Sequence, residues 1–181
     1  LDGLNNLTLL DFSFNELTKF PFKPLEKISN LILLILTSNL ISEIDPDSIL
    51  SLKKLKVLKL ANNSVKVLDQ NFLKSFERLE ELHISFNEIS DLSPGAFAHN
   101  PKLKLIDLEG NQLTKISALQ FSNLKFLEYL DLSLNKISTI EDREAFKNLS
   151  QLSRVFASKN VCTNEEFDDF QCEHSSAFVA C

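Results

Sequence analysis

The chain has 181 residues, 44% of them hydrophobic, and a formal net charge of −6 from 19 basic and 25 acidic side chains. This hydrophobic content is ordinary for a folded chain. The sequence contains no run of about eighteen apolar residues, which is the length that would predict a membrane-spanning helix. The last twenty residues carry five acids and no Lys or Arg, so the rest of the chain is nearly neutral. It therefore offers no basic stripe of the kind that binds nucleic acid.

One pattern recurs along the chain and is clearest in LEYLDLSLNKI, which runs from Leu127 to Ile137. Its template is L-x-x-L-x-L-x-x-N-x-I. In chain order, the copies begin at Leu7, Leu31, Leu55, Leu79, Leu103, Leu127 and Leu152. Their asparagines are separated by 24 residues five times and then by 25. A fixed period of this length predicts stacked structural units, not a globular arrangement.

Each copy is predicted to form one short strand. In the clearest copy, Tyr129 and Asp131 alternate outward between inward apolar positions, which is the period-2 signature of a strand. The inward positions are Leu127, Leu130, Leu132 and Ile137. Stacked copies then form a parallel sheet, with one strand from each repeat.

The asparagines are predicted to be buried where the chain turns away from each strand. They are Asn15, Asn39, Asn63, Asn87, Asn111, Asn135 and Asn160. An amide side chain has donors and an acceptor, so it can satisfy backbone groups left free in the bend. We expect these groups to belong to its own turn and the next one.

Apolar columns also follow ten and thirteen residues after the asparagines, and we expect them to close the back of the core. The fourth repeat breaks the second column with Asn100. Phe fills a wide core without a polar group to satisfy. The prolines of these segments (Pro21, Pro24, Pro46 and Pro94) argue against regular strands, so short helical turns and extended pieces are expected.

With these motifs, residues 1–162 resemble the leucine-rich repeat proteins whose repeats are about 24 residues long. This class is typical of extracellular proteins such as Toll-like receptors, small matrix proteoglycans and secreted arthropod immune proteins. The resemblance implies an α/β fold: a right-handed solenoid with a parallel sheet on its concave face. It also implies an extracellular location, as a secreted protein or an ectodomain of a larger one. The expected organisation is a solenoid over residues 1–160 without its N-terminal cap, followed by an acidic, cysteine-containing cap over 161–181.

The three cysteines lie together in that tail, where one disulfide is expected to close the open end of a secreted solenoid. Three pairings are possible. We favour Cys162–Cys181, because this pairing spans the whole end. Cys172 would then be a free thiol or would form an interchain bridge to a second chain. The tail resembles the ends of some secreted arthropod repeat proteins and departs from the common vertebrate cap, which has paired cysteines close after Asn-Pro.

Asn-x-Ser/Thr sequons occur at Asn6, Asn62 and Asn148 and are predicted glycosylation sites. Catalysis is not expected. His83 with Asp107 and the nearby Ser85 could suggest a triad, but an open sheet face offers no pocket or oxyanion hole. We expect no catalytic, cofactor or metal site; weak calcium binding by Asp107 and Asp131 is the remaining metal alternative.

The outward rows of the sheet are the predicted binding surface. One row alternates Lys and Glu from Lys56 to Glu128 and is interpreted as a structural ladder of exposed ion pairs. The second copy departs from polar alternation, so Ile32, Leu33 and Ile35 must point outward. Leu9 of the first copy and Val57 of the third lie beside them and extend the apolar surface. The C-terminal half of the face is predicted to set specificity or to remain free through Glu81, His83, Leu105, Asp107, Tyr129 and Asp131.

Exposed apolar patches of a few hundred Å² usually mark contact sites. The sequence thus predicts a non-enzymatic recognition module for a protein partner or a second copy of the chain, in immunity, adhesion or signalling. Two alternatives stay open: a carrier or receptor for an apolar ligand in the concavity, and a structural spacer in a larger ectodomain. Binding of nucleic acid is not expected.

Overall fold

The structure is a computed structural model that describes residues 4–20, 25, 28–44, 52–161 and 178–179; side chains are described at these positions except 143–145 and 178–179. Its strands are short and in chain order they are β1 (Leu9–Asp11), β2 (Leu33–Ile35), β3 (Val57–Lys59), β4 (Val67–Leu68), β5 (Glu81–His83), β6 (Asp91–Leu92), β7 (Leu105–Asp107), β8 (Lys115–Ser117), β9 (Tyr129–Asp131), β10 (Thr139–Glu141), β11 (Arg154–Phe156) and β12 (Phe178–Val179).

One parallel sheet runs the length of the molecule in the order β1-β2-β3-β5-β7-β9-β11-β12. The register follows the repeat: Leu34 of β2 pairs with Leu10 on one side and Leu58 on the other. The seven predicted strands are therefore confirmed, and the chain is a right-handed solenoid with its sheet on the concave face.

The core lies directly behind this sheet, where the periodic leucines and isoleucines point. In the clearest repeat, Leu127 and Leu130 are 0% exposed, and Leu132 and Ile137 are 1% exposed. Phenylalanines close the back, with the rings of Phe97 and Phe121 stacked at 5.6 Å between centroids. The predicted inward positions and the core-filling role of these phenylalanines are confirmed.

The asparagines form a hydrogen-bonded column between repeats. Asn87 donates to the carbonyl of Leu60 (3.0 Å) and to Ile84 (3.1 Å), and its Oδ1 accepts from the backbone N–H of Val65 (3.0 Å). Leu60 and Val65 belong to the preceding repeat, so the expectation that the amide reaches the next turn was wrong in direction. The reason is geometric: the bend places each amide beside the preceding repeat, whose strand-end carbonyl accepts from its own asparagine and from the next one, as Leu60 does from Asn63 and Asn87.

The ends of this column differ from its middle. The buried members are 5–8% exposed: Asn39, Asn63, Asn87, Asn111 and Asn135. Asn160 is half-buried, and Asn15 is exposed; within the described part of the chain, Asn15 donates only to carbonyls of its own turn, Phe12 and Ser13.

Asn100, which interrupts an apolar column, is 0% exposed and makes a second bridge between repeats. Its Nδ2 donates to the carbonyls of Leu73 (3.1 Å) and Phe76 (2.9 Å), both one repeat earlier. Asn123 repeats the device by donating to the carbonyl of Phe97 at 3.0 Å. Asn100, which interrupts the apolar column, therefore links two repeats by hydrogen bonds on the convex side.

The convex side contains short pieces, as predicted. Two 3₁₀ helices cover Ala118–Phe121 and Arg143–Asn148. The extended pieces pair into two small parallel sheets, β4 with β6 and β8 with β10. Ser117 and Gln120 form a capping box at the start of the first helix, which satisfies backbone donors exposed there.

The C-terminal predictions concern residues that are mostly not described. Cys162, Cys172 and Cys181 lie outside the described residues, as does most of the tail predicted to be a cap. The exception is β12, which adds to the sheet next to β11. No helix within the described ranges is long and apolar enough to cross a bilayer.

Candidate functional site on the concave sheet

The concave face consists of the side chains that alternate with buried leucines. Leu34 of β2 is 0% exposed and points into the core, so its neighbours Leu33 and Ile35 point outward. The same pattern of outward, inward and outward positions repeats on β3, β5, β7 and β9. Because the register is constant, each outward position forms a row across the strands.

An apolar patch occupies the first three strands; we define it as Leu9, Ile32, Leu33, Ile35 and Val57. Leu33 lies between Leu9 and Val57 in register. Leu9 is 50% exposed and Ile32 is 39% exposed, while the other three are half-buried. With strands about 4.8 Å apart, these side chains form one continuous surface.

A Lys–Glu ladder crosses the next strands. The carboxylate of Glu80 forms ion pairs with Nζ of Lys56 at 2.7 Å on one side and with Nζ of Lys104 at 2.8 Å on the other. These two contacts lower the pKa of Glu80 to about 2. The predicted ladder is present from Lys56 to Lys104. Glu128 occupies the next position of the row but forms no ion pair with the described residues.

An acidic cluster lies on β7, on β9 and just after β7; we define it as Asp107, Glu109 and Asp131. Their carboxylate oxygens can all lie within 4.8 Å of one another. Asp107 accepts from the backbone N–H of Glu109 at 3.1 Å, and Asp131 accepts from that of Ser133 at 2.9 Å. No Lys or Arg of the described residues lies within 4.0 Å of them.

Burial and the neighbouring Asp131 and Asp107 raise the pKa of Glu109 above its ordinary value. Burial is the largest cause of this shift, and the positive charge of Lys159 opposes it. Oxygen ligands of this kind suit a hard cation or a cationic side chain.

Tyr129 stands at the edge of the acidic cluster. Its hydroxyl donates to Asp131 at 3.2 Å, and burial together with this carboxylate raises the pKa of Tyr129 to about 12. The guanidinium of Arg154 lies 5.2 Å from its ring centroid and the ring of Phe156 lies 5.4 Å away. Tyr129 is therefore a fixed hydrogen-bond donor and not an acid at neutral pH.

His83 lies between Lys59 and Asp107 in register, as expected. Its Nε2 is 3.3 Å from a carboxylate oxygen of Glu81 on the same strand. Ser85 is buried at 6% exposure. His83 and Asp107 of the hypothetical triad thus lie on the open sheet face, whereas Ser85 is buried, and His83 contacts Glu81 instead of a serine.

One feature of this face had not been predicted. The residue before each asparagine adopts a left-handed backbone conformation: Phe14, Ser38, Asn62, Phe86, Gly110, Leu134 and Lys159. The N–H groups of these residues up to Leu134 continue the backbone hydrogen bonds between repeats beyond the strands, as from Phe86 to the carbonyl of Glu109 at 2.7 Å. Gly110 and Asn62 are the sequence signs of this column, since glycine adopts positive φ without strain and asparagine tolerates it.

This column brings large aromatic side chains to the rim of the face. Phe14 is 82% exposed and Phe86 is 46% exposed. A Cβ at Gly110 would lie 2.5 Å from Cδ1 of Phe86, so the ring of Phe86 lies over the glycine. Phe14 is the most exposed large hydrophobic residue among those described, and it follows β1, the strand that contributes Leu9 to the apolar patch.

The sequon asparagines Asn6, Asn62 and Asn148 are all exposed. Asn62 has a φ of 54° and belongs to the rim column just after β3. Asn6 precedes β1, and Asn148 ends the second 3₁₀ helix before β11. Their glycosylation remains a prediction.

The leucine-rich repeat family model matches residues 29–87, 53–113 and 103–161. The chain belongs to the leucine-rich repeat family. Proteins of this family generally serve as non-enzymatic recognition modules. No match to this chain was found among curated proteins.

Solved structures with a similar fold include TLR13 in complex with ssRNA13, at 23% identity and a TM-score of 0.83, covering 92% of this chain and 23% of that chain. Another is a leucine-rich repeat protein of Leptospira interrogans, at 24% identity and a TM-score of 0.68, covering 88% of this chain and 45% of that one. The chain therefore spans less than half of each. At these identities the likeness concerns the fold alone, that of a Toll-like receptor ectodomain.

The leucine-rich repeat fold brings the predicted site residues together in two groups. The apolar patch is one group. The other consists of Asp107, Tyr129 and Asp131 together with Glu109, which was not among the predicted site residues. Glu81, His83 and Leu105 lie between them. Glu109 follows Asp107 by two residues but lies beyond the end of β7, where the period-2 alternation of the strand no longer predicts orientation.

Proposed function

We propose that this chain is a non-enzymatic recognition module that binds a protein partner through its concave face, in extracellular immunity, adhesion or signalling. The observation that carries the proposal is the apolar patch. Leu9 and Ile32 expose 50% and 39% of their surface on a sheet face where the core needs neither side chain. Covering such a surface stabilises a complex by about 25 cal/mol per Å².

The shape of the surface favours a protein over a small apolar ligand. The patch lies flat across β1, β2 and β3, and its members are at most half-buried. A small ligand is usually enclosed over most of its surface, which requires a cavity. A macromolecular partner can cover an open face directly, so the carrier and spacer functions have less support.

Two negative proposals follow from the same face. Its histidine contacts Glu81 on an open sheet face, which favours a non-enzymatic role. The three carboxylates of the acidic cluster disfavour phosphates, so nucleic acid is not the proposed partner. The extracellular location is supported by exposure of Asn6, Asn62 and Asn148.

The test uses a random dodecapeptide display library, selected on the wild-type chain. Leu33→Ser with Ile35→Ser should leave the fold intact, because neither side chain lies in the core. It should weaken binding of the selected peptides by about 1 kcal/mol or more per residue, hence about thirtyfold or more for the two together. Calorimetry measures the affinity and circular dichroism the fold.

The matched control is Val67→Ser with Leu119→Ser, which removes apolar side chains that are 51% and 55% exposed outside the concave sheet. This control should leave peptide affinity unchanged. The proposal fails if the selected peptides bind the Leu33/Ile35 variant as tightly as the wild type. It also fails if that variant unfolds, because these residues would then belong to the core.

A further inference from the structure

The apolar patch and the acidic cluster occupy the same face at a fixed separation. The patch is centred on β2, and the cluster lies at β7 and β9, three and four strands further along the sheet. With strands about 4.8 Å apart, the separation across the strands is roughly 14–19 Å. A single bound segment that crosses the strands can therefore contact both.

The charges of the face are arranged unevenly between these two surfaces. Glu80 is neutralised by Lys56 and Lys104, which lie 2.7 and 2.8 Å away. The acidic cluster has no such partner within 4.0 Å among the described residues, although three carboxylates meet there. Close carboxylates repel one another, and a cation supplied by a partner removes that cost.

We propose that the partner presents an extended segment with apolar side chains for the patch and a Lys or Arg for the acidic cluster. This inference rests on the proposed function of the concave face and specifies its partner. An extended chain rises about 3.3 Å per residue, so the cationic residue lies roughly four to six positions from the apolar ones, on either side in the sequence. The hydroxyl of Tyr129, held on Asp131, borders the site of the cation.

Other occupants match this arrangement less well. A second copy of the chain carries a formal net charge of −6 and brings its own acidic cluster to the interface. A metal ion alone would satisfy the carboxylates but leave the apolar patch exposed to water. The combination of apolar patch and acidic cluster is what requires a partner that is apolar at one end and cationic at the other.

The experiment analyses the composition of the dodecapeptides selected on the wild-type chain. Peptides that depend on Leu33 and Ile35 should be enriched in Lys and Arg at the stated spacing. Their affinity should fall about tenfold or more when Asp107→Asn, Glu109→Gln and Asp131→Asn are combined. A similar fall is expected between about 0.05 M and about 0.5 M salt, since screening weakens exposed charge pairs.

Two controls make the result specific. Glu77→Gln, Asp91→Asn and Glu141→Gln remove three exposed carboxylates outside the concave sheet and should leave affinity unchanged. On the peptide side, replacing the selected Lys by Gln should reproduce the loss seen with the cluster variant. This second arm does not depend on the folding of any protein variant.

The outcomes separate this inference from the proposed function. Peptides that need Leu33 and Ile35, yet show no basic enrichment and ignore the cluster variant, overturn the inference and leave the proposed function standing. Peptides that ignore Leu33 and Ile35 overturn both. Calcium binding at micromolar concentration that displaces the peptides, measured by calorimetry, identifies the cluster as a metal site and also overturns the inference.

Discussion

The two ends of the concave face share one backbone and differ in chemistry. On β2 the outward side chains are Leu33 and Ile35, whereas at the same positions of β9 they are Tyr129 and Asp131. Between each pair lies a leucine that is 0% exposed. The core therefore constrains only every second residue of a strand, and the intervening positions can change from apolar to acidic without altering the fold.

The largest expected effect comes from breaking the scaffold that both ends share. Asn87→Leu leaves the N–H of Val65 without its partner and removes one amide donor from the carbonyls of Leu60 and Ile84, which keep Asn63 and Asn111 as donors. An unpaired buried group costs about 1–3 kcal/mol and each lost hydrogen bond about 1 kcal/mol, so the free energy of unfolding should fall by several kcal/mol. A urea melt measures the change, and an unchanged midpoint would contradict the role given to the column.

Asn15→Leu is the matched control for that substitution. Asn15 is exposed and donates only within its own turn, to Phe12 and Ser13. Exposed carbonyls can be hydrated instead, so the loss should stay below about 1 kcal/mol. Equal losses from the two variants would show that bridging between repeats is not what stabilises the solenoid.

A smaller effect is expected at the junction between the two ends, where Gly110 has a φ of 66° and lies under Phe86. Gly110→Ala adds both backbone strain and a Cβ 2.5 Å from the ring, which should cost about 1–3 kcal/mol. Adding Phe86→Ala should recover the steric part only. Gly95→Ala, whose Cβ meets Gln70 at 3.4 Å, should be nearly neutral in the same melts.

The smallest expected effects are changes in the free energy of unfolding at Glu80, in the Lys–Glu ladder, and at Glu109, in the acidic cluster, and their signs are opposite. The Lys104 and Lys56 contacts hold the pKa of Glu80 at about 2, so its ionised form stabilises the fold above the ordinary value of 4.5. This stability is lost as the pH falls from 4.5 towards 2. Glu80→Gln should therefore destabilise the protein at neutral pH by about 1 kcal/mol or less, because the pair is exposed.

Glu109 should behave in the reverse manner. Burial and two neighbouring carboxylates raise its pKa above the ordinary value of 4.5, so ionisation at higher pH destabilises the fold. Glu109→Gln should slightly stabilise the protein at neutral pH, and the difference should vanish below pH 4.5, where Glu109 is protonated in both folded and unfolded chains. Urea melts at both pH values test this. A loss of stability at neutral pH would mean that its charge is compensated.

Much of the concave face was predictable because a strand alternates with period 2 and the repeat fixes the register. These two periods place Leu33 and Ile35 outward and Leu34 inward without any knowledge of distances. They also bring Asp107 beside Asp131. The clustering of Glu109 with them depends on the bend after β7, where the chain leaves the strand, so strand alternation alone did not reveal it.

The sequence by itself determined the number of repeats, the inward and outward rows and the family, because each follows from spacing along the chain. Only the tertiary structure decided which neighbour each asparagine serves, since Asn87 reaches the preceding repeat through the geometry of the bend. It also decided the left-handed conformation of Phe14 and Phe86, which local preference disfavours and inter-repeat hydrogen bonds from their N–H groups stabilise. Spacing specifies which residues recur together, whereas the direction and strain of a bend arise only when the repeats stack.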